Sequence, residues 1–278
     1  MDWKGREQSQ NVEDRRGSSG GGGGRTPGIL GIIVVLIGAY YGVDLSGLVG
    51  TPSMGTGSTQ TSQLKPQEEA ELNELARVVL ADTEKAWGSY FKQIGRTYTP
   101  TTLVLYNGGT STACGMGQSA MGPFYCPGDQ KVYLDLDFYR DMQTKLNSAS
   151  DAAFAYVIAH EVGHHVQNLL GILPKVHRMQ QQVGKKEANA LSVKLELQAD
   201  CYAGIWGHYA VNNNIFKPED IPKAMLAAES VGDDRLQKDG QGYVVPDSFT
   251  HGSSEQRMAW LKRGLDSGDI NQCNTFGN

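Results

Sequence analysis

Residues 27–43, Pro-Gly-Ile-Leu-Gly-Ile-Ile-Val-Val-Leu-Ile-Gly-Ala-Tyr-Tyr-Gly-Val, carry no charged side chain. A run of this length is at the short end of what crosses a bilayer, and Leu45, Leu48 and Val49 extend it past Asp44. Both flanks are polar. Residues 1–26 are charged and glycine-rich, which predicts a disordered tail. Residues 50–66 are rich in Thr, Ser, Gly and Gln, which predicts a flexible linker and places the folded domain at 67–278. A core helix would lie among other elements, and a cleaved signal would have a shorter lead-in and a small-residue cleavage site. The run therefore reads as one membrane anchor over 27–49. Lys4, Arg6, Arg15, Arg16 and Arg25 precede it, so the positive-inside rule puts the tail in the cytoplasm and the domain outside, in the periplasm or its equivalent.

That side is oxidising, and the chain has four cysteines. Of the three pairings available, Cys114–Cys126 would close a glycine-rich loop and Cys201–Cys273 would tie the C-terminal tail to a central helix. The net charge is −5 with no basic cluster beyond the tail, which argues against nucleic-acid binding.

Within the domain, Leu72, Leu75, Val78, Val79, Thr83, Ala86 and Tyr90 recur at spacings of three and four, predicting a helix over 67–95. Strands are predicted at 102–106 and 131–136, separated by a loop over 107–130. The strand at 131–136 is the expected docking edge for an extended protein or peptide substrate. A short helix over 138–146 follows, then Ser148-Ala149-Ser150-Asp151 as a cap for a helix over 151–170.

This last helix contains His160-Glu161-Val162-Gly163-His164. Four residues are just over one turn, so both imidazoles project from one face and can hold a single ion, with Glu161 beside them. Gln167 and Leu170 stand where a metzincin has Gly and His, so the third ligand lies elsewhere. On a helix predicted over 187–211, Glu196, Asp200, Ala203 and Gly207 share a stripe of otherwise small residues. Glu196 is the expected third ligand, and Asp200 one turn on can accept the N–H of a ligand histidine. His165 points off the face, His177 falls in a predicted loop, and His208 is on the far side of its helix. Two imidazoles and one carboxylate with an open position suit Zn2+.

The motif His160-Glu161-x-x-His164 with Glu196-x-x-x-Asp200 resembles the gluzincin pattern. The chain also carries Trp3-Lys4-Gly5-Arg6, Gly122-Pro123-Phe124-Tyr125-Cys126-Pro127 and Phe249-Thr250-His251-Gly252. In this combination it resembles the bacterial neutral zinc metallopeptidase family along nearly its whole length. The resemblance implies a membrane-anchored, zincin-like α+β metallopeptidase domain, mainly helical with a small sheet. The segment from Thr250-His251 to Arg257 is similar to the Thr-His-Pro-x-x-x-x-Arg segment of other integral-membrane metallopeptidases, with Gly252 where those have proline. That likeness implies an oxyanion-stabilising role for His251, with Arg257 structural; the alternative reading of the residues is that His251 precedes and helps cap a last helix over 254–265.

The expected function is a zinc-dependent endopeptidase, with Glu161 as general base for the attacking water. The alternative is a catalytically silent, zinc-stabilised module that binds an envelope protein. A purely structural site is normally closed by four protein ligands and has no use for Glu161, which favours the enzyme.

Overall fold

The computed structural model describes residues 1–17 and 62–277. The expected anchor over 27–49, and the linker except for its last residues, lie outside the described residues. Among those described, no helix is long and apolar enough to cross a membrane.

Strand β1 (Val12–Asp14) comes from before the apolar run and pairs in parallel with β2 (Thr102–Tyr106), Val12 opposite Leu103. Helix α1 (Pro66–Gln93) lies between them in sequence and buries Leu72, Leu75, Val78, Val79, Trp87 and Phe91 on one side. A hairpin, β3 (Gly109–Thr112) with β4 (Gly115–Gln118), then precedes β5 (Phe124–Cys126) and β6 (Lys131–Asp135). The main sheet has the order β1-β2-β6-β5, the first three strands parallel and β5 antiparallel.

Two expectations change here. The strand at 131–136 is interior, because β6 bonds β2 on one side and β5 on the other. Its backbone groups are already engaged, so it cannot take a substrate strand; β5 is the edge. The second change concerns residues 1–17, expected as part of a disordered cytoplasmic tail over 1–26. Trp3 is buried and donates to Asp151 at 2.8 Å, Arg15 bonds the hairpin at Thr110, and Arg16 pairs with Glu69 in the first turn of α1. Polar composition predicted disorder, but an edge strand gains its stability from backbone hydrogen bonds that composition does not display.

Strands from before and after the apolar run bond within one sheet, so residues 12–14 and 102–106 belong to one folded body. The chain leaves at Arg16 beside α1 and returns at Ser62 and Gln63, which bond Asp137 at the head of α2 (Phe138–Thr144).

Helix α3 (Asp151–Leu169) is the hub. Ser150 caps it, its Oγ accepting from Ala153 N–H at 3.0 Å. Apolar or small residues occur all round it, as the interior of a domain requires. It packs against α1, β5 and β6, and against three helices that follow it, α4 (Ile172–Gln180), α5 (Lys185–Asn212) and α6 (Ile221–Ser230). Helices α7 (Asp233–Gln241) and α8 (Ser254–Ser267) complete the layer, α8 lying along α5. Both disulfides, Cys114–Cys126 and Cys201–Cys273, are formed as expected. The result is a mainly helical α+β fold with a small sheet.

Candidate functional site

Gly163 lets α3 and α5 approach closely: a Cβ there would stand 3.0 Å from Ala199 carbonyl oxygen and 3.3 Å from its Cα. At that crossing the two histidines of α3 meet the acidic stripe of α5. His160 Nε2 lies 3.1 Å from Glu196 Oε2 and His164 Nε2 lies 3.3 Å from Glu196 Oε1. The three residues can each offer a ligand atom within 4.8 Å of the others.

The outer faces of both rings are fixed. Asp200 Oδ1 is 2.8 Å from His160 Nδ1, and Gln167 Oε1 is 2.9 Å from His164 Nδ1. With Nδ1–H donated outward, each Nε2 keeps its lone pair for the centre. Gln167 is itself held, donating to Leu195 carbonyl oxygen and to Gln198. Sequence reasoning missed this partner of His164, although its i, i+3 spacing is the signal that could have found it.

Behind His160 is a buried polar network. Arg257 of α8 grips Asp200 with two bonds, Nε to Oδ2 at 2.8 Å and Nη2 to Oδ1 at 3.0 Å. Tyr156 hydroxyl donates to Asp200 Oδ1 at 2.6 Å. Arg257 was expected to be only structural; it lies beside the site itself, Nη2 being 4.0 Å from Glu196 Oε2.

The charges favour a divalent cation. Glu161, Glu196 and Asp200 face Arg257, so neutral imidazoles leave two negative charges uncompensated in a buried place. Without an ion a proton takes that role: burial would strip it from His160, but Asp200 and Glu196 hold that pKa up to about 10. Burial raises the Glu161 carboxyl above its ordinary range. Two donors each about 2.0–2.1 Å from a tetrahedral ion stand roughly 3.3 Å apart, and each imidazole Nε2 lies near that distance from one of the two Glu196 oxygens. The donor set therefore fits zinc.

Glu161, His160 and His164 open into a cleft walled by Gly122, Phe124 and Tyr125 on the β5 side. Thr250 and His251 form part of another wall. His251 is placed by Asp233, whose Oδ2 accepts the backbone N–H groups of Thr250, His251 and Gly252 and whose Oδ1 lies 3.2 Å from His251 Nδ1. Burial would lower the His251 pKa, yet the Asp233 carboxylate raises it. It does not cap α8: Ser253 does, accepting from Gln256 N–H.

The remaining histidines sort as follows. His177 is in α4, not a loop, and lines the cleft. His165 is buried between Tyr125 hydroxyl and Thr99 carbonyl oxygen, and His208 bonds Leu265 carbonyl oxygen.

Comparison with known proteins agrees with this picture. The family described as "Putative neutral zinc metallopeptidase" matches residues 1–276, and the chain belongs to it. It is 54% identical over 287 residues to the uncharacterized protein YpfJ of Escherichia coli K12, covering 100% of this chain and 99% of that one. The uncharacterized protein Rv2575 of Mycobacterium tuberculosis H37Rv is 40% identical over 219 residues, covering 74% and 73%. No solved structure matches the chain.

Proposed function

We propose that the chain is a zinc-dependent endopeptidase of zincin type, with His160, His164 and Glu196 as the metal ligands and Glu161 as general base. The observation that carries this reading is the convergence of both Nε2 atoms on the Glu196 carboxylate at 3.1 and 3.3 Å, with Glu161 in the same cleft. Zinc held there would supply Lewis acidity, polarising a peptide carbonyl and making water nucleophilic near neutral pH.

This chain's own residues do the rest. Glu161 takes the proton of the attacking water and delivers it to the departing amine. Asp200 and Gln167 hold the ligand rings in their tautomers, and Arg257 keeps Asp200 ionised. His251, on the cleft wall and bonded to Asp233, supplies a donor to the developing oxyanion. The peptide lies extended along the edge at β5, whose residues border the cleft. Two disulfides support an extracytoplasmic location, with residues 27–49 holding the enzyme at a membrane from that side.

Glu161→Gln tests the assignment. The full-length variant keeps zinc, measured by metal analysis, and loses chelator-sensitive cleavage of an unfolded model protein. Cleavage at the parent rate would overturn the general-base role, and absence of zinc from the parent would overturn the metal site.

A further inference from the structure

One exposed surface outside the catalytic chemistry has the composition of a lipid-facing patch. Met179 is 39%, Val183 44%, Tyr243 62%, Val244 40% and Val245 38% exposed, although all five are apolar or aromatic. They come from two segments that the fold brings together. Lys186 pairs with Asp247 at 3.0 Å and Asn189 donates to Asp247 carbonyl oxygen at 3.2 Å, so residues 243–248 lie against the first turn of α5, just after Val183. Val245 N–H bonds Gln237 Oε1 at 2.8 Å, which ties the same segment to α7.

The α4–α5 side of the rim is cationic. Residues 172–194 hold five bases (Lys175, Arg178, Lys185, Lys186, Lys194) and one acid (Glu187), whereas residues 233–248 hold two bases (Arg235, Lys238) and four acids (Asp233, Asp234, Asp239, Asp247), of which Asp247 pairs with Lys186. Lys175, Arg178 and Lys185 are exposed, and among the described residues they form no ion pair. Exposed valines and a tyrosine beside long basic side chains match a bilayer boundary: the apolar groups enter it while Lys and Arg reach lipid phosphates.

We propose that this face docks on a bilayer containing anionic lipid. Charge complementarity on the α4–α5 side, where Lys175, Arg178 and Lys185 are exposed and unpaired among the described residues, selects that occupant, and an apolar run at 27–43 that enters the same bilayer would tie the same body to the same leaflet. His177 and Gln180 of α4 and Ser192 of α5 line the cleft from this side, so docking holds the cleft mouth beside the headgroups. If the endopeptidase reading holds, on which this clause rests, the substrates are polypeptides at the membrane surface.

The test uses the full-length chain and vesicles of brominated phosphatidylcholine, with or without phosphatidylglycerol. Val244→Trp places a reporter in the patch, read as the difference from the parent. Val211→Trp is the control, at the other end of α5 and roughly 40 Å away along a helix rising about 1.5 Å per residue. The proposal expects vesicles with phosphatidylglycerol to quench about half of the Val244→Trp emission and to leave Val211→Trp unquenched. Replacing Lys175, Arg178 and Lys185 by Glu lowers that quenching roughly tenfold. An unquenched Val244→Trp, equal quenching of both reporters, or quenching that survives the charge reversal overturns it. A patch that instead captures a protein leaves Val244→Trp unquenched on bound vesicles. Cleavage is not part of the readout, so failure of the peptidase reading and failure of this one are told apart.

Discussion

Asp200 serves three donors at once: the ring N–H of His160, the hydroxyl of Tyr156 and the guanidinium of Arg257. Replacing it by Asn keeps the size and removes the charge, leaving Arg257 buried without its partner. Breaking a buried pair in this way costs about 3–5 kcal/mol, and loss of an outer-shell carboxylate lowers metal affinity about 10–100-fold. Thermal unfolding and zinc titration of Asp200→Asn check the two effects separately, and Asp200→Glu is expected to restore part of both. Asp82 is a second buried acid, in α1, accepting from Trp206 of α5 at 2.8 Å. Burial raises its pKa from 3.8 to about 6. An acid whose folded pKa is raised contributes most stability below its unfolded pKa and loses it as pH rises through the folded value. Between pH 4 and 6 that loss is on the order of 3 kcal/mol, at about 1.4 kcal/mol per unit. Urea unfolding at pH 4 and pH 7 should therefore show Asp82→Asn with a flatter profile and greater stability than the parent at pH 7. The acids on the stripe of α5 could be read from their helical spacing, because a carboxylate among small residues asks for a partner. Asp82 and Gln167 could not, since what matters for each is a neighbour distant in sequence or a proton, and neither shows in a local pattern.

At the scale of elements, the closest contact is between α5 and α8. A Cβ on Gly264 would stand 1.9 Å from Cys201 carbonyl oxygen, and one on Gly204 would stand 2.2 Å from Leu261 carbonyl oxygen. Backbone meets backbone there, so neither side can yield by changing a rotamer. Gly264→Ala is expected to cost about 3 kcal/mol, the upper part of the range for overpacking, and to lower zinc affinity because α8 carries Arg257. Calorimetry with metal analysis measures both, whereas Gly240→Ala in α7, where a Cβ meets nothing within 4 Å, should leave both unchanged. The long helices were legible from their periodicity, and their observed ends fall within two residues of those expected. Helix α4 was not: His177 was placed in a loop, although a helix there is not forbidden by Pro174. It stands in the first turn, where a missing N–H removes no intrahelical bond. The stretch 107–130 was read as loop, yet it contains β3, β4 and β5. Strands of three or four residues are too short to show an alternation.

For the molecule as a whole, residues 1–17 are part of the folded body, with residues 12–14 a strand of the sheet. Their removal exposes β2 along its length as an edge and uncovers the site filled by Trp3. Deleting 1–17 should promote aggregation of the remaining chain, measured by light scattering, and a synthetic peptide of residues 1–17 added during refolding should reduce it. No reduction at any peptide concentration would show that the N-terminal strand is dispensable.

The β1–β2 ladder also has a consequence in time. Val12 is joined to Leu103, 91 positions later (103 − 12), so on a ribosome adding about 5–20 residues per second the first strand waits on the order of 5–20 s for its neighbour. The apolar run at 27–43 is synthesised within that interval. Whatever receives it meets a nascent chain whose sheet does not yet exist, and the later closure of that sheet joins residues made before the run to residues made after it.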